Sequence, residues 1–257
     1  MTILYQVDKF FFMNFTAEVK KATDPIYQKI SKVMPEIEWS IHAPYIHRIN
    51  QLKKKKNAIV LAHNYQTPEI YHGVSDVAAD SLALAIEAAK TKADIIVMAG
   101  VHFMAETSKL MSPEKKVLLP DMDAGCSLSS SVTGKDVRLL KEKYPGVPVV
   151  SYVNTSADVK AETDICCTSA NAVKIVESLG VKKVIFLPDD YLAKYVASQT
   201  NVEIIAWKGI CMVHDQFNEK EINDIREKNP GIKIIALPEC PPEVIKASDF
   251  AGSTGGM

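Results

Sequence analysis

Two cysteines 85 residues apart, Cys126 and Cys211, are the residues of this chain best suited to chemistry. Each follows an apolar run and a turn of small residues: KVLLP leads into PDMDAGCSL, and VEIIAWKG leads into CMVH. Thiolates are soft ligands and hold iron–sulfur clusters. An isolated buried cysteine is otherwise a small apolar side chain. The matched placement, after Gly125 in one case and near Gly209 in the other, favours the ligand reading. Cys166, Cys167 and Cys240 lack such matches and are expected to pack.

Around these thiols the sequence sets polar groups at strand ends. His63 and Tyr65 follow AIVL, Tyr152 and Asn154 follow VPVV, and Glu239 follows IKIIA. These residue types donate, accept or transfer protons. Ser81, Ser169, Ser253 and Thr254 fall at or just before expected helix starts. A hydroxyl there caps a helix, or binds carboxylate or phosphate together with free backbone N–H groups. Symmetry-related hydroxyls favour an anionic substrate.

The elements that must position these groups form a repeat. Three strands, IVLAHNYQ, VVSYVNTS and IIALPECP, are each followed by a short segment and then by SDVAADS, TDICCTS or SDFAGST. These motifs begin at Ser75, Thr163 and Ser248, 88 and 85 residues apart, and the cysteines keep nearly the same period. Short apolar runs alternating with helical patterns mean βαβ units and parallel sheets. The expected fold is α/β: triplicated three-layer α/β/α units about a pseudo-threefold axis, with the third unit incomplete. Its expected parts are an N-terminal helical arm (1–56), a first unit (57–132), a second unit (133–216) and the start of a third (217–257). Loops beyond the strand ends would converge at one centre, where open α/β sheets bind ligands. The symmetry asks for a third cysteine near position 296, about one period beyond Cys211, and the chain is expected to be C-terminally truncated before it.

Bulk properties narrow the class. The 257 residues are 47% hydrophobic and 24% charged, with net charge -1. That composition is globular, and the balance gives no case for nucleic acid or a membrane surface. No apolar run nears the ~18 residues of a membrane span, and MTILYQVDKFFFMNF lacks the plan of a signal peptide. A cytoplasmic location with reduced cysteines is expected. The run Lys53 to Lys56 is expected to be a solvated helix end.

The motifs AHNYQ, GVHFMAETSKL, PDMDAGCSL, YVNTSADVKA, CTSANAV, FLPDDYLAKYV, WKGICMVH, PEC and GST occur in that order. From about Ala58 to the end, the chain resembles the quinolinate synthase family, the A protein of bacterial NAD synthesis. The resemblance implies a three-domain α/β fold around a [4Fe-4S] cluster acting as Lewis acid. It implies condensation of iminoaspartate with dihydroxyacetone phosphate to quinolinate, and a functional link to L-aspartate oxidase. By position it assigns Cys126 and Cys211 as cluster ligands. Tyr65, Glu239 and His63 become catalytic, and His63, Ser81, Tyr152, Asn154, Ser169, Ser253 and Thr254 substrate-binding.

Two departures stand out. The family's third ligand lies in a C-terminal part beyond Met257, and Leu237 stands where the family usually has histidine. The diphthamide-synthesis enzymes, which also set three separated cysteines around a cluster, are the alternative of another class, as is an inactive, truncated family member. AHNYQ and YVNTSA favour quinolinate synthase.

Overall fold

The computed structural model describes residues 13–253 and residue 256. The arm is a helical hairpin. The first helix, α1 (Ala17–Ile30), is capped by the Thr16 hydroxyl, which accepts from the Val19 N–H at 3.2 Å. The second, α2 (Glu36–Lys56), ends at Asn57 in the left-handed conformation. Trp39, 1% exposed, stacks on Tyr27 with ring centroids 5.5 Å apart. With Ala43 and Ile46 it seals one sheet face through Val60 and Ala62. The first residues of the expected arm, 1–12, lie outside the described residues. Lys53 departs from the solvated helix end: its side chain is only 12% exposed and pairs with Asp76 at 2.9 Å.

The first sheet is parallel, with order β2-β1-β3-β4. Its strands are β1 (Ala58–His63), β2 (Val77–Ala79), β3 (Ile95–Ala99) and β4 (Lys116–Leu118), linked by α3 (Pro68–Tyr71), α4 (Ser81–Lys90) and α5 (His102–Met111). After α6 (Gly134–Lys143) the same topology returns as β6-β5-β7-β8. Here the strands are β5 (Val149–Tyr152), β6 (Ile165–Cys167), β7 (Lys183–Leu187) and β8 (Glu203–Ala206). The connecting helices are α7 (Ala157–Ala161), α8 (Ala172–Ser178) and α9 (Asp190–Gln199), with Gly180 at φ 63 just past α8. After α10 (Glu219–Lys228) come β9 (Ile235–Ala236), α11 (Pro242–Ala247) and β10 (Phe250–Ala251), and β9 pairs with β10 in parallel as β1 pairs with β2. The structure is therefore the mixed α/β fold of repeated units that the sequence predicts.

The repeat extends to single hydrogen bonds. Asp76, Asp164 and Asp249 each accept, through Oδ2, a backbone N–H near the start of the unit's first strand: Val60 at 2.8 Å, Val149 at 2.8 Å and Ile234 at 2.9 Å. Their own N–H groups donate back to the carbonyls of Val60, Val149 and Ile234. The hydroxyl before each, Ser75, Thr163 or Ser248, donates to the carbonyl four residues earlier, on Tyr71, Val159 or Val244. Each aspartate also meets a cation from the helix preceding its first strand, Lys53, Lys141 or Arg226, and Asp249 meets Lys233 as well. The recurring Ser/Thr-Asp pair is thus a clip that locks a second strand beside the first. The residues after it form β2, β6 and β10, three short strands not expected from the sequence, because runs this short carry too few residues to show a period.

Among the other expectations, Cys167 (2% exposed) and Cys240 (6%) are packed as expected. Cys166 is exposed: β6 alternates its faces, and this residue points away from the core that holds Cys167.

Candidate active site

The strand ends of all three units open onto one cavity of about 440 Å³. Unit one contributes His63, Tyr65, Ser81 and Cys126; unit two contributes Tyr152, Asn154, Ser169 and Cys211; Leu237, Glu239 and Ser253 come from the third. Thus the sequence-predicted residues within the described part converge. Thr254 lies outside it.

Each side chain is placed by a local cause. His63 is the last residue of β1, and its ring packs on Tyr65 with centroids 4.0 Å apart. Burial lowers its pKa to about 4, against a smaller opposing effect of Asp80, so the imidazole is neutral at neutral pH. Tyr65 is 55% exposed as a residue, yet its hydroxyl end is desolvated and sits 3.8 Å from the Met104 sulfur. Burial first, then the Cys126 thiol, push it up to about 12. The phenol therefore keeps its proton and can donate it.

Tyr152 ends β5 against Glu239, and burial together with that carboxylate raises its pKa well above the ordinary value. Glu239 follows β9 and is 2% exposed; among the described residues its Oε2 has no hydrogen-bond partner, nor has the buried Oδ1 of Asn154. Buried acceptors beside a cavity call for a partner, whether ordered water or a ligand.

The hydroxyls differ from one another. Ser81 is the first residue of α4, whose N-cap is Asp80, accepting from Ala83 at 2.9 Å, so the serine hydroxyl is left to the cavity. Ser169 stands in the turn before α8, beside Thr168, whose N–H donates to Asn171 Oδ1 at 2.7 Å. Ser253 follows β10 and has no helix start among the described residues.

The two thiols have contrasting surroundings. Burial raises Cys126, partly offset by the backbone N–H groups of Ser129 and Leu128. Cys211 is lowered, first by the side chain of His214 and then by backbone N–H groups of the same turn. The charge of Cys211 adds a smaller upward push to Cys126. Their softness and shared cavity fit a cluster taking cysteine ligands from separate units. Among the described residues no group of three His, Cys, Asp or Glu is placed to hold a metal ion.

The family model described as Quinolinate synthetase A protein matches residues 47–257. The chain belongs to that family. It is 60% identical over 243 residues to quinolinate synthase of Sinorhizobium fredii, covering 95% of this chain and 68% of that protein. It is likewise 60% identical over 247 residues to the enzyme of Caulobacter vibrioides, covering 95% and 67%, and 61% identical over 212 residues to that of Xylella fastidiosa, covering 82% and 62%. The chain thus spans about two thirds of the length of its quinolinate synthase relatives.

One residue lining the site, and one buried beside its strand ends, escaped the sequence reading. His214 lines the cavity beside Cys211, three positions on in CMVH, and among the described residues its buried Nδ1 has no partner; its spacing from the cysteine was the available signal. Asp189, two residues after β7, is fully buried and does not line the cavity. An acidic residue closing an apolar strand in FLPDD was the only hint. Leu237 lines the cavity and contributes surface only. No helix among the described residues is long and apolar enough to cross a membrane.

Proposed function

We propose that this chain carries the quinolinate-forming site: iminoaspartate condenses with dihydroxyacetone phosphate, releasing phosphate and two waters. The observation that carries this reading is the convergence of Cys126, Cys211, Tyr65, Tyr152, Asn154, Ser169 and Glu239 from three units on one cavity. Both substrates are anionic at neutral pH and both are small. The cavity supplies hydroxyls at Ser81, Ser169 and Ser253 for phosphate and carboxylates, and free acceptors at Asn154 and Glu239 for N–H and O–H groups.

Cys126 and Cys211 would hold a [4Fe-4S] cluster, which when bound supplies a Lewis acid for a carboxylate or carbonyl. The remaining work belongs to the protein. Neutral His63 and protonated Tyr65 orient polar atoms of the substrate without adding charge. Glu239 takes protons from carbon or nitrogen during imine formation and dehydration, and the Tyr152 hydroxyl stands against it as a donor. The apolar walls, Phe103, Met104, Val153 and Leu237, exclude water from steps that expel it. Reduced thiols suit the cytoplasm, where an aspartate-oxidising enzyme such as L-aspartate oxidase would supply the labile imine.

The test is anaerobic reconstitution with iron and sulfide of the protein and of Cys126→Ser and Cys211→Ser. Iron and sulfide per chain, visible absorbance and quinolinate formation are then measured. The reading expects a brown protein that forms quinolinate and two variants that lose both properties. Variants that bind iron and sulfide as the parent does would remove both cysteines from the ligand set.

A further inference from the structure

The turns that carry the two cysteines are built alike and are joined to each other directly. Four residues after each cysteine a backbone N–H returns to the cysteine carbonyl, Ser130 to Cys126 and Asp215 to Cys211, both at 3.0 Å. A 3-10 turn begins three residues after each, Ser129–Ser131 in the first unit and His214–Gln216 in the second. The join is made by Trp207, four residues before Cys211. Its indole Nε1–H donates to the Ser131 carbonyl oxygen at 3.1 Å, across 76 residues of chain and from one unit to the other.

Both ends of this bond are anchored. Ser131 donates to the Leu128 carbonyl through its N–H at 3.1 Å and its hydroxyl at 2.7 Å. On the other side, the Trp207 N–H donates to the Phe186 carbonyl at 3.0 Å, and the Gly209 carbonyl accepts from the Asp190 N–H at 2.8 Å. The segment leading to Cys211 is thereby fastened to β7 and to the start of α9. The indole itself packs on the core that holds Val132, Val137 and Ile185. A second contact lies beside the first: a Cβ on Gly209 would come within 2.5 Å of Ser131 Oγ, so the two turns approach closely there as well. The residue in the matching place before Cys126 is Met122, which is 68% exposed and has no N–H to give from its side chain. The link is thus particular to Trp207 and not a by-product of the repeat.

Two ligands from separate units keep a fixed spacing only if the joint between the units is fixed, and supporting hydrogen bonds to a ligand-bearing loop do that work. We propose that Trp207 is a positioning residue for the two cysteines. Its indole N–H ties the Cys126 turn to the segment carrying Cys211, and so sets the spacing at which both thiols are offered to the cavity. The proposal rests on the reading of Cys126 and Cys211 as cluster ligands.

Trp207→Phe keeps an aromatic ring in the same apolar place and removes the donor. In cluster-free protein, amide exchange at Ser130 and Ser131 should quicken by roughly 2- to 10-fold, the worth of one hydrogen bond. Exchange in β1 and β3 of the same unit should stay as in the parent. After anaerobic reconstitution with iron and sulfide, loss of iron to a chelator should quicken by about the same factor. A ring that merely fills space would leave the Ser130 and Ser131 amides unchanged, and a general loosening would speed β1 and β3 too; either result overturns the proposal. Faster exchange with unchanged iron loss overturns it as well, since the tie would then position nothing.

A second measurement uses the parent alone. The chain has two tryptophans, so Trp39→Phe or Trp207→Phe assigns the two indole N–H resonances. The Trp207 indole N–H should exchange at least about tenfold more slowly than that of free tryptophan, as a bonded donor does. Exchange as fast as in free tryptophan overturns the proposal even if Trp207→Phe fails to fold. If neither parent nor variant takes up iron and sulfide while the exchange pattern is present, the ligand reading of the cysteines fails and the tie between their turns stands.

Discussion

His63 links the chemistry of the site to the stability of the fold, and the link has a sign and a size. In the folded chain burial holds its pKa near 4, whereas an unfolded histidine titrates at about 6.5. Above pH 6.5 both states are neutral there and His63 adds no pH dependence. As the pH falls through 6.5 the unfolded chain takes a proton that the folded chain refuses until about pH 4. Stability is therefore lost across the window from 6.5 to 4. The shift of about 2.5 units at about 1.36 kcal/mol each amounts to about 3 kcal/mol at the acid end. His63→Gln removes the titration and keeps a polar group of similar length. Urea unfolding followed by Trp39 and Trp207 fluorescence, at pH 7.5 and pH 4.5, should show the parent losing about 2 to 3 kcal/mol more than the variant. In the same parent protein the His63 ring, followed by NMR, should stay neutral down to about pH 4. A midpoint near 6.5, or equal acid losses in parent and variant, would refute the reasoning, since it would mean the ring is hydrated in the cavity.

The strand clip makes a second prediction. Val149 is fully buried, so Asp164→Ala strands its N–H without an acceptor; stability should fall by about 1 to 3 kcal/mol, while Asp164→Asn, which keeps the acceptor, should lose less than half of that by urea unfolding. A third concerns Gly209, on the approach to Cys211. A Cβ there would lie 2.5 Å from Ser131 Oγ and closer still to the Pro188 carbonyl oxygen. Gly209→Ala should therefore cost about 1 to 3 kcal/mol of overpacking and displace the turn that carries Cys211. A lower melting temperature and reduced iron incorporation are expected, and an unchanged melt would show that the turn gives way freely.

The sequence by itself determined the repeat, the parallel α/β class and many of the residues that line the central cavity. Strands long enough to show a period were readable, and the matched strand ends of units one and two pointed to His63, Tyr65, Cys126, Tyr152, Asn154 and Cys211 without any coordinates. The Ser/Thr-Asp motif was visible at three places, but its work was not. Only the structure shows that Asp76, Asp164 and Asp249 accept the first strand's N–H, because a side-chain to backbone bond across 15 or 16 residues leaves no periodic trace. Lys53 reads as one of four solvated lysines, and it is Asp76, brought alongside by the fold, that takes it from solvent. Protonation states were decided in the same way. A histidine near 4, a tyrosine near 12 and an aspartate near 7 arise first from desolvation, with smaller effects of charges in loops and turns brought close by the fold. Those neighbours are distant in the chain: Glu239, whose charge acts on Asp189, lies 50 residues further on, and the fold brings the two near enough for that effect.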